Sequence, residues 1–162
     1  MSLGRGKEAI THFETVVRLE PEMALAHNSY GVALMKSERP AEAITHYRHA
    51  VHLDSDYAAA HYNWGVALEQ LNRTGEALSR YRAALEISPY FAPAHEKLAV
   101  ALQQSGQLEA AVSHYQKAVR ITPDNAEARN KLGVALAKLG RRFFSPCDKG
   151  RAIRQRMLEL NE

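Results

Sequence analysis

The sequence predicts an all-α protein, an α-solenoid in which antiparallel helix pairs are stacked. Three observations predict it: a tetrapeptide that recurs every 34 residues, two helical apolar periodicities inside each 34-residue row, and short turn signals between them. GVAL stands at 31–34, 65–68 and 133–136, and AVAL stands at 99–102. Because one such unit cannot bury its own apolar face, the copies must stack to build a continuous core.

The 34-residue register sets the predicted domain organisation, which is one domain of consecutive repeats. Its predicted segments are 1–23, an incomplete N-terminal repeat with only its second helix; 24–57, 58–91 and 92–125, complete repeats; 126–140, the first helix of a further repeat; and 141–162, a divergent basic C-terminal capping helix. The second helices share small and aromatic positions: Ala43, Ala77 and Ala111; Tyr47, Tyr81 and Tyr115; Ala50, Ala84 and Ala118. Alanines let neighbouring helices approach closely, and the tyrosines fill the space between them.

Turn residues and prolines punctuate the helices. Asn72, Gly106 and Gly140 tolerate the left-handed conformation that closes a helix, and Pro40 suits the first position of a helix. Prolines at 21, 89 and 123 stop the second helices, because proline donates no N–H and restricts the residue before it. In the first complete row, Asp54 and Asp56 take over the terminating and capping role.

The two ends of the chain depart from the pattern. GRGKEA at 4–9 is superficially similar to a phosphate-binding loop, but its register predicts an interhelical turn. After Gly140, Ser145 and Pro146 are suited to begin a displaced closing helix whose apolar stripe is Ile153, Met157 and Leu160.

The repeated residues resemble the tetratricopeptide repeat family. The matching residues over about 3–140 are LG at 132–133, WG at 64–65, YG at 30–31, Ala77, Tyr81, Ala84 and Pro89. The resemblance implies a right-handed superhelix whose first helices line a concave groove for protein ligands. Where the family often carries Trp, early in the first helix, this chain has His27, His61, His95 and Arg129.

Composition excludes several classes of protein. No apolar run approaches the 18 residues of a membrane span, and no secretory signal is visible, so the default expectation is a cytoplasmic protein without membrane contact. The single Cys147 excludes an internal disulfide and a multi-thiolate metal site. Residues 138–162 hold seven Lys or Arg against three acids, a basic tail for which a solvated face is favoured over nucleic-acid binding.

No catalytic, cofactor or metal site is expected. The sequence contains neither a nucleophile-elbow motif nor a phosphate-binding loop following a strand. His46, His49 and His52 rotate steadily around their helix. The series His27, His61 and His95 is spread over helices about 10 Å apart, too far for one ion with bonds of about 2 Å.

The remaining candidate is the groove. Val32, Val66, Val100 and Val134 form a ladder that either floors a peptide groove or packs against neighbouring helices. The predicted partner-binding residues around it are Asn28, Ser29, Lys36, Tyr62, Asn63, Glu69, Glu96, Lys97, Gln103, Asn130 and Lys131. An apolar floor with separated polar groups suits an extended peptide or a helix.

Family members offer two comparisons for this groove. Asn63 and Lys97 match two positions of the clamp with which chaperone-tail receptors hold a terminal carboxylate, but Val32 and Pro93 stand where that clamp is polar or basic. The rows also resemble the arrays of O-linked N-acetylglucosamine transferases, whose groove carries an asparagine ladder that only Asn63 keeps.

The leading hypothesis is therefore a noncatalytic protein–protein interaction scaffold that binds a peptide or protein segment. One alternative is the substrate-selecting portion of a larger enzyme such as an O-linked N-acetylglucosamine transferase-like glycosyltransferase. Another is a self-assembling scaffold that associates through its incomplete N-terminal repeat.

Overall fold

The computed structural model describes residues 3–143, and these residues contain eight α-helices and no strand. The helices are α1 (Leu3–Leu19), α2 (Ala24–Lys36), α3 (Pro40–Leu53), α4 (Ala58–Gln70), α5 (Thr74–Ile87), α6 (Ala92–Gln104), α7 (Leu108–Ile121) and α8 (Ala126–Phe143). The predicted all-α fold class is confirmed. The helices α2, α4, α6 and α8 begin 34 residues apart, and we propose these starts as the boundaries of the repeats.

The chain divides into two compact units at a point within α6, after Leu98. In the first unit α2 packs against α3 and α4 against α5, while α1 lies against α2 and α3 against α4. The first helices α2 and α4 also contact each other directly. In the second unit α7 packs against α8.

The core of the first unit depends on close contact between glycines and tyrosines. Tyr47 of α3 and Tyr81 of α5 are fully buried, and their rings lie against Gly31 of α2 and Gly65 of α4. A Cβ atom added to either glycine would stand 2.5 Å from the Cε1 atom of the facing tyrosine. Burial also raises the pKa of the Tyr47 hydroxyl, so this phenol stays neutral. The glycine of GVAL therefore lets a second helix approach the first.

Three interhelical turns contain a residue in the left-handed conformation. Two of the predicted turn residues, Asn72 and Gly106, have φ of 58° and 79°. The equivalent residue of the first turn is Glu38, with φ of 59°, which the sequence did not single out. Pro40 is the first residue of α3, as predicted.

Two predicted turns are wrong. Helix α8 continues through Gly140 to Phe143, and α1 begins at Leu3, so residues 4–9 are helical. Glycine costs only about 1 kcal/mol in a helix relative to alanine, and the good helix formers beside it compensate at both places. Glycine permits a left-handed turn without requiring one.

The second helices end where the prolines predict. Helices α1, α5 and α7 each end two residues before the prolines at 21, 89 and 123. Helix α3 ends at Leu53, and there the Asp56 backbone N–H donates to Asp54 Oδ1 at 3.1 Å, a local turn that blocks further helix.

The predicted closing helix lies outside the described residues, apart from residues 141–143, which belong to α8. Among the described helices, none combines the length and the apolar character needed to cross a bilayer.

Candidate functional site

Amide side chains join the first helices α2 and α4. Asn63 of α4 donates from Nδ2 to Asn28 Oδ1 of α2 at 2.9 Å. Asn28 is buried and donates in turn from its own Nδ2 to the Tyr57 hydroxyl at 3.3 Å. We call Tyr57, Asn28 and Asn63 the amide cluster. Since each side chain is held by its neighbour, the amide groups have fixed orientations.

A carboxylate holds a second polar cluster, which joins α4 to α5 and α6. Glu69 of α4 accepts hydrogen bonds from Lys97 Nζ at 2.6 Å and from the Tyr81 hydroxyl at 3.1 Å. The Lys97 and Glu69 side chains are 35% and 28% exposed, so solvent screens the pair only partly. Burial, together with the charge of Glu69, raises the pKa of Tyr81 and keeps its hydroxyl a donor. We call Glu69, Lys97 and Tyr81 the carboxylate cluster; its Lys and Glu charges cancel locally.

An aromatic side chain connects the α4 face to α5 and to the loop before α6. The ring centroid of Tyr62 is 5.9 Å from that of Tyr81 and 5.2 Å from that of Phe91, the latter in an edge-to-face arrangement. Tyr62 is half-buried, so part of its ring is open to a ligand. Edge-to-face pairs of this kind fix ring orientation. We use the term first-helix face for the two polar clusters together with Tyr62.

The other predicted residues of the first unit are Ser29, Lys36 and Glu96. Ser29 is half-buried and Lys36 is exposed near the end of α2, and neither joins the amide or the carboxylate cluster. Glu96 is half-buried on α6. Val32 packs against the buried cluster that contains Tyr30, Leu34 and Tyr47, so its packing role is established.

The second unit presents its predicted residues separately. Lys131 donates to the Glu127 carboxylate of the same helix at 2.6 Å, and this hydrogen bond lowers the pKa of Glu127. Asn130 is exposed on α8, and Val134 is 45% exposed. Gln103 of α6 is half-buried and its side-chain oxygen has no hydrogen-bond partner among the described residues.

Comparison with protein-family models decides the family. The tetratricopeptide repeat model matches residues 1–58 and 33–90, and a second TPR repeat model matches residues 104–140. The chain belongs to the tetratricopeptide repeat family. No curated protein sequence matches it.

Solved structures agree with this tetratricopeptide repeat fold. The crystal structure of MamA has a TM-score of 0.77 and 22% identity, covering 99% of this chain and 94% of MamA. YrrB, described as a TPR protein with an unusual peptide-binding site, has a TM-score of 0.68 and 29% identity, with 78% and 66% of the two chains covered. The first TPR of Spaghetti (RPAP3), solved with the HSP90 peptide SRMEEVD, has a TM-score of 0.69 and 24% identity, with 72% and 93% covered.

Within the tetratricopeptide repeats, the recurring histidines hold the chain before each first helix. Nε2 of His27, His61 and His95 lies 3.0, 3.2 and 3.0 Å from the carbonyl oxygen six residues earlier. In the last repeat Arg129 Nε donates to the equivalent carbonyl at 2.6 Å. Because a carbonyl only accepts, each imidazole carries its proton on Nε2. A ring nitrogen that donates across the preceding turn explains histidine at a position where the family often carries Trp.

Sequence reasoning missed the partners of two predicted residues. Tyr57 anchors Asn28, and Tyr81 joins Lys97 in holding Glu69. The 34-residue register placed Tyr81 in the core, and nothing in the sequence indicated that its hydroxyl reaches the first-helix face. One signal was available in the sequence. Glu69 and Lys97 are opposite charges 28 residues apart on successive first helices, a spacing that can bring them into contact.

Proposed function

We propose that the chain is a noncatalytic protein-interaction scaffold whose first-helix face binds an extended segment of another protein. The observation that carries the proposal is the pair of fixed polar clusters on neighbouring first helices, with the half-buried Tyr62 on the same helix as Asn63 and Glu69. Oriented amides can pair with the main chain of a ligand, and an aromatic ring supplies apolar contact area. Little conformational entropy is lost on binding, because these side chains are already ordered.

The charges of this face favour an internal segment over a free chain terminus. Lys97 is the cation that a terminal carboxylate would need, and Glu69 already neutralises it at 2.6 Å. A ligand carboxylate would have to displace Glu69 and leave it next to a second anion, which is unfavourable at partly buried positions. A segment with uncharged residues opposite the carboxylate cluster avoids that repulsion.

Two structural neighbours support peptide binding as the mode. YrrB is described as having a peptide-binding site, and the Spaghetti repeat was solved with a bound peptide. For this chain only the general mode, binding of a peptide, is proposed. The particular peptide that each neighbour binds is not proposed as a ligand of this chain.

The experiment is selection of binders from a displayed library of random peptides, followed by affinity measurement on surface variants. Asn63→Ala removes the amide that links α2 to α4, and Lys97→Glu places a second anion beside Glu69. Each should weaken a selected peptide by about 1 to 2 kcal/mol, the loss expected for a well-formed interface contact. The matched control is Arg82→Glu, a charge reversal at an exposed position of the second helix α5.

The control should keep the affinity of the wild type, and circular dichroism should show equal helicity for all variants. The opposite result would place the binding surface on the second helices. In that case Arg82→Glu would weaken the selected peptides, and Asn63→Ala and Lys97→Glu would leave their affinity unchanged. A known peptide-binding repeat protein, selected under the same conditions, serves as the positive control. If it yields several binders and this chain yields none, the result argues against peptide recognition.

A second candidate function, self-assembly, has one favourable observation. Near the start of the chain, Leu19 and Leu25 are 72% and 54% exposed, and Val16 and Met23 are 37% and 39% exposed. Burying these side chains against a second copy would be favourable. Light scattering behind size exclusion tests this candidate, since association should raise the mass with concentration and Leu19→Lys should abolish the increase.

A further inference from the structure

Three histidines from two helices meet in the first complete repeat. His27 Nδ1 of α2 lies 3.2 Å from His46 Nδ1 of α3, and the ring of His49, one turn further along α3, stacks on His27 with centroids 5.2 Å apart. Tyr30 also packs against His46, with ring centroids 4.1 Å apart. In the sequence, the histidines of α2 and those of α3 fall into two series with no evident relation. We call His27, His46 and His49 the imidazole cluster.

The hydrogen bonds fix the protonation of the His27–His46 pair. His27 Nε2 carries a proton because it lies 3.0 Å from the Pro21 carbonyl oxygen, so Nδ1 of the neutral ring presents a lone pair. His46 Nδ1 must then donate its proton to that lone pair. The two rings are therefore joined by one N–H···N hydrogen bond.

Two imidazole nitrogens at this separation match the first coordination shell of a transition metal. Zinc binds imidazole nitrogen at about 2.0–2.1 Å in tetrahedral geometry, which places two ligand nitrogens roughly 3.3 Å apart. The observed Nδ1···Nδ1 separation is 3.2 Å. The bond from His27 Nε2 to a backbone carbonyl is the outer hydrogen bond that typically orients a metal-binding histidine.

We propose that His27 Nδ1 and His46 Nδ1 form a two-nitrogen anchor for a divalent transition metal such as Zn²⁺, with His49 as a third ligand. On binding, the proton of His46 moves from Nδ1 to Nε2 through solvent, so both lone pairs reach the metal and no net proton is released. Over the described residues no group of three or more His, Cys, Asp or Glu side chains is placed to hold a metal ion as it stands, so His49 has to rotate towards the pair. Water fills the remaining position.

An open pocket beside the cluster gives a hydrated ion room to enter. Its volume is about 520 Å³, and its lining residues are Pro21, Glu22, His27, His49, His52 and Leu53. His49 is exposed on this side and needs only a side-chain rotation to move. The Glu22 carboxylate supplies a negative charge to the lining of this pocket.

The second repeat offers a natural comparison, because it keeps the first histidine and lacks the others. His61 lies at the position of His27, its Nε2 is 3.2 Å from the Ser55 carbonyl oxygen, and its Nδ1 is buried without a partner. Arg80 and Ala83 stand where the first repeat has His46 and His49. A guanidinium at that position repels a metal cation, so the second repeat should bind none.

The test is calorimetric titration of the untagged full chain with Zn²⁺, with Mg²⁺ as the control because it prefers oxygen ligands. The wild type should bind Zn²⁺ and no Mg²⁺. His46→Arg copies the second repeat and should weaken Zn²⁺ binding by at least the 10–100-fold that loss of an outer-shell partner typically costs. His12→Arg, at an exposed position of α1, should bind as the wild type does.

The complementary variant builds the cluster where it is absent. Arg80→His combined with Ala83→His supplies both missing rings opposite His61, and the stoichiometry should rise by one Zn²⁺ per chain. A wild type that binds no Zn²⁺, or a His46→Arg variant with unchanged affinity, would overturn the proposal. If His46→Arg fails to fold by circular dichroism, the double variant decides: one additional equivalent of Zn²⁺ supports the site, and an unchanged stoichiometry overturns it.

Discussion

The substitution Gly65→Ala tests the packing on which the repeats depend. The added Cβ atom would lie 2.5, 2.8 and 3.1 Å from the Cε1, Cδ1 and Cζ atoms of Tyr81. Ordinary carbon contacts lie at about 3.5–4.0 Å, so the ring has to move by about 1 Å. Tyr81 is fully buried and its hydroxyl donates to Glu69, so the ring cannot yield without disturbing its surroundings.

The magnitude follows from two opposing effects. Overpacking a well-packed core costs typically 1–3 kcal/mol, whereas replacing glycine by alanine inside a helix returns about 0.5–1 kcal/mol. Gly133 isolates the second effect, because a Cβ atom at that position of α8 meets no atom of the described residues within 4 Å. Gly133→Ala should therefore stabilise the protein slightly. The difference between the two variants should be about 1–3 kcal/mol, with Gly65→Ala the less stable.

Urea unfolding followed by circular dichroism measures this difference, provided that the slope with urea is the same for both variants. The substitution should also weaken a peptide bound at the first-helix face, because a displaced Tyr81 releases Glu69. Equal stability of Gly65→Ala and Gly133→Ala would refute the reasoning, since it would mean that the Tyr81 ring does not fill the space beside Gly65.

Three further predictions concern a histidine, two turns and an ion pair. Burial lowers the pKa of His46 from its ordinary value of 6.5 to about 4 in the folded protein. The stability that the neutral imidazole contributes is therefore fully present above about pH 6.5, and it is lost as the pH falls towards 4. Between pH 7 and pH 5 the wild type should lose up to about 2 kcal/mol more than His46→Gln, as measured by urea unfolding at each pH; parallel losses would contradict this. Glu38→Gly should leave stability unchanged or raise it, and Asn72→Val should lower it by about 1–2 kcal/mol, because both positions have positive φ; thermal unfolding that shows Asn72→Val unaltered would contradict the left-handed turn. A double-mutant cycle on Glu69 and Lys97 should give a coupling free energy of about 0.5–1 kcal/mol that declines with salt, because the pair is partly exposed. A coupling near zero at low salt would contradict the ion pair on which the carboxylate cluster depends.

The sequence predicts the helices well because each repeat reinforces the others. The recurrence of Tyr47, Tyr81 and Tyr115 at one register identifies a core position that a single row would leave ambiguous. The turns are less predictable, because left-handed conformations depend on the whole loop. Glu38 adopts one without a sequence signal, whereas Gly140 remains helical.

The candidate site is predictable as a face and unpredictable as a set of contacts. Helical periodicity placed Asn28, Asn63, Glu69 and Lys97 on one side of the first helices. It could not show that Lys97 is paired, since a contact between residues 28 apart depends on the spacing of two helices. The same limit hid the His27–His46 contact, which depends on how α2 and α3 are rotated against each other.

The most direct test of the proposed interaction role is a chemical-shift map of the isotopically labelled chain titrated with a peptide selected from the displayed library. The account predicts that the largest amide shifts within the first unit fall on α2, on α4 and around Lys97, and that Asn63→Ala reduces them. Shifts confined to the outer surfaces of α3 and α5, with α2 and α4 unmoved, would contradict the central claim.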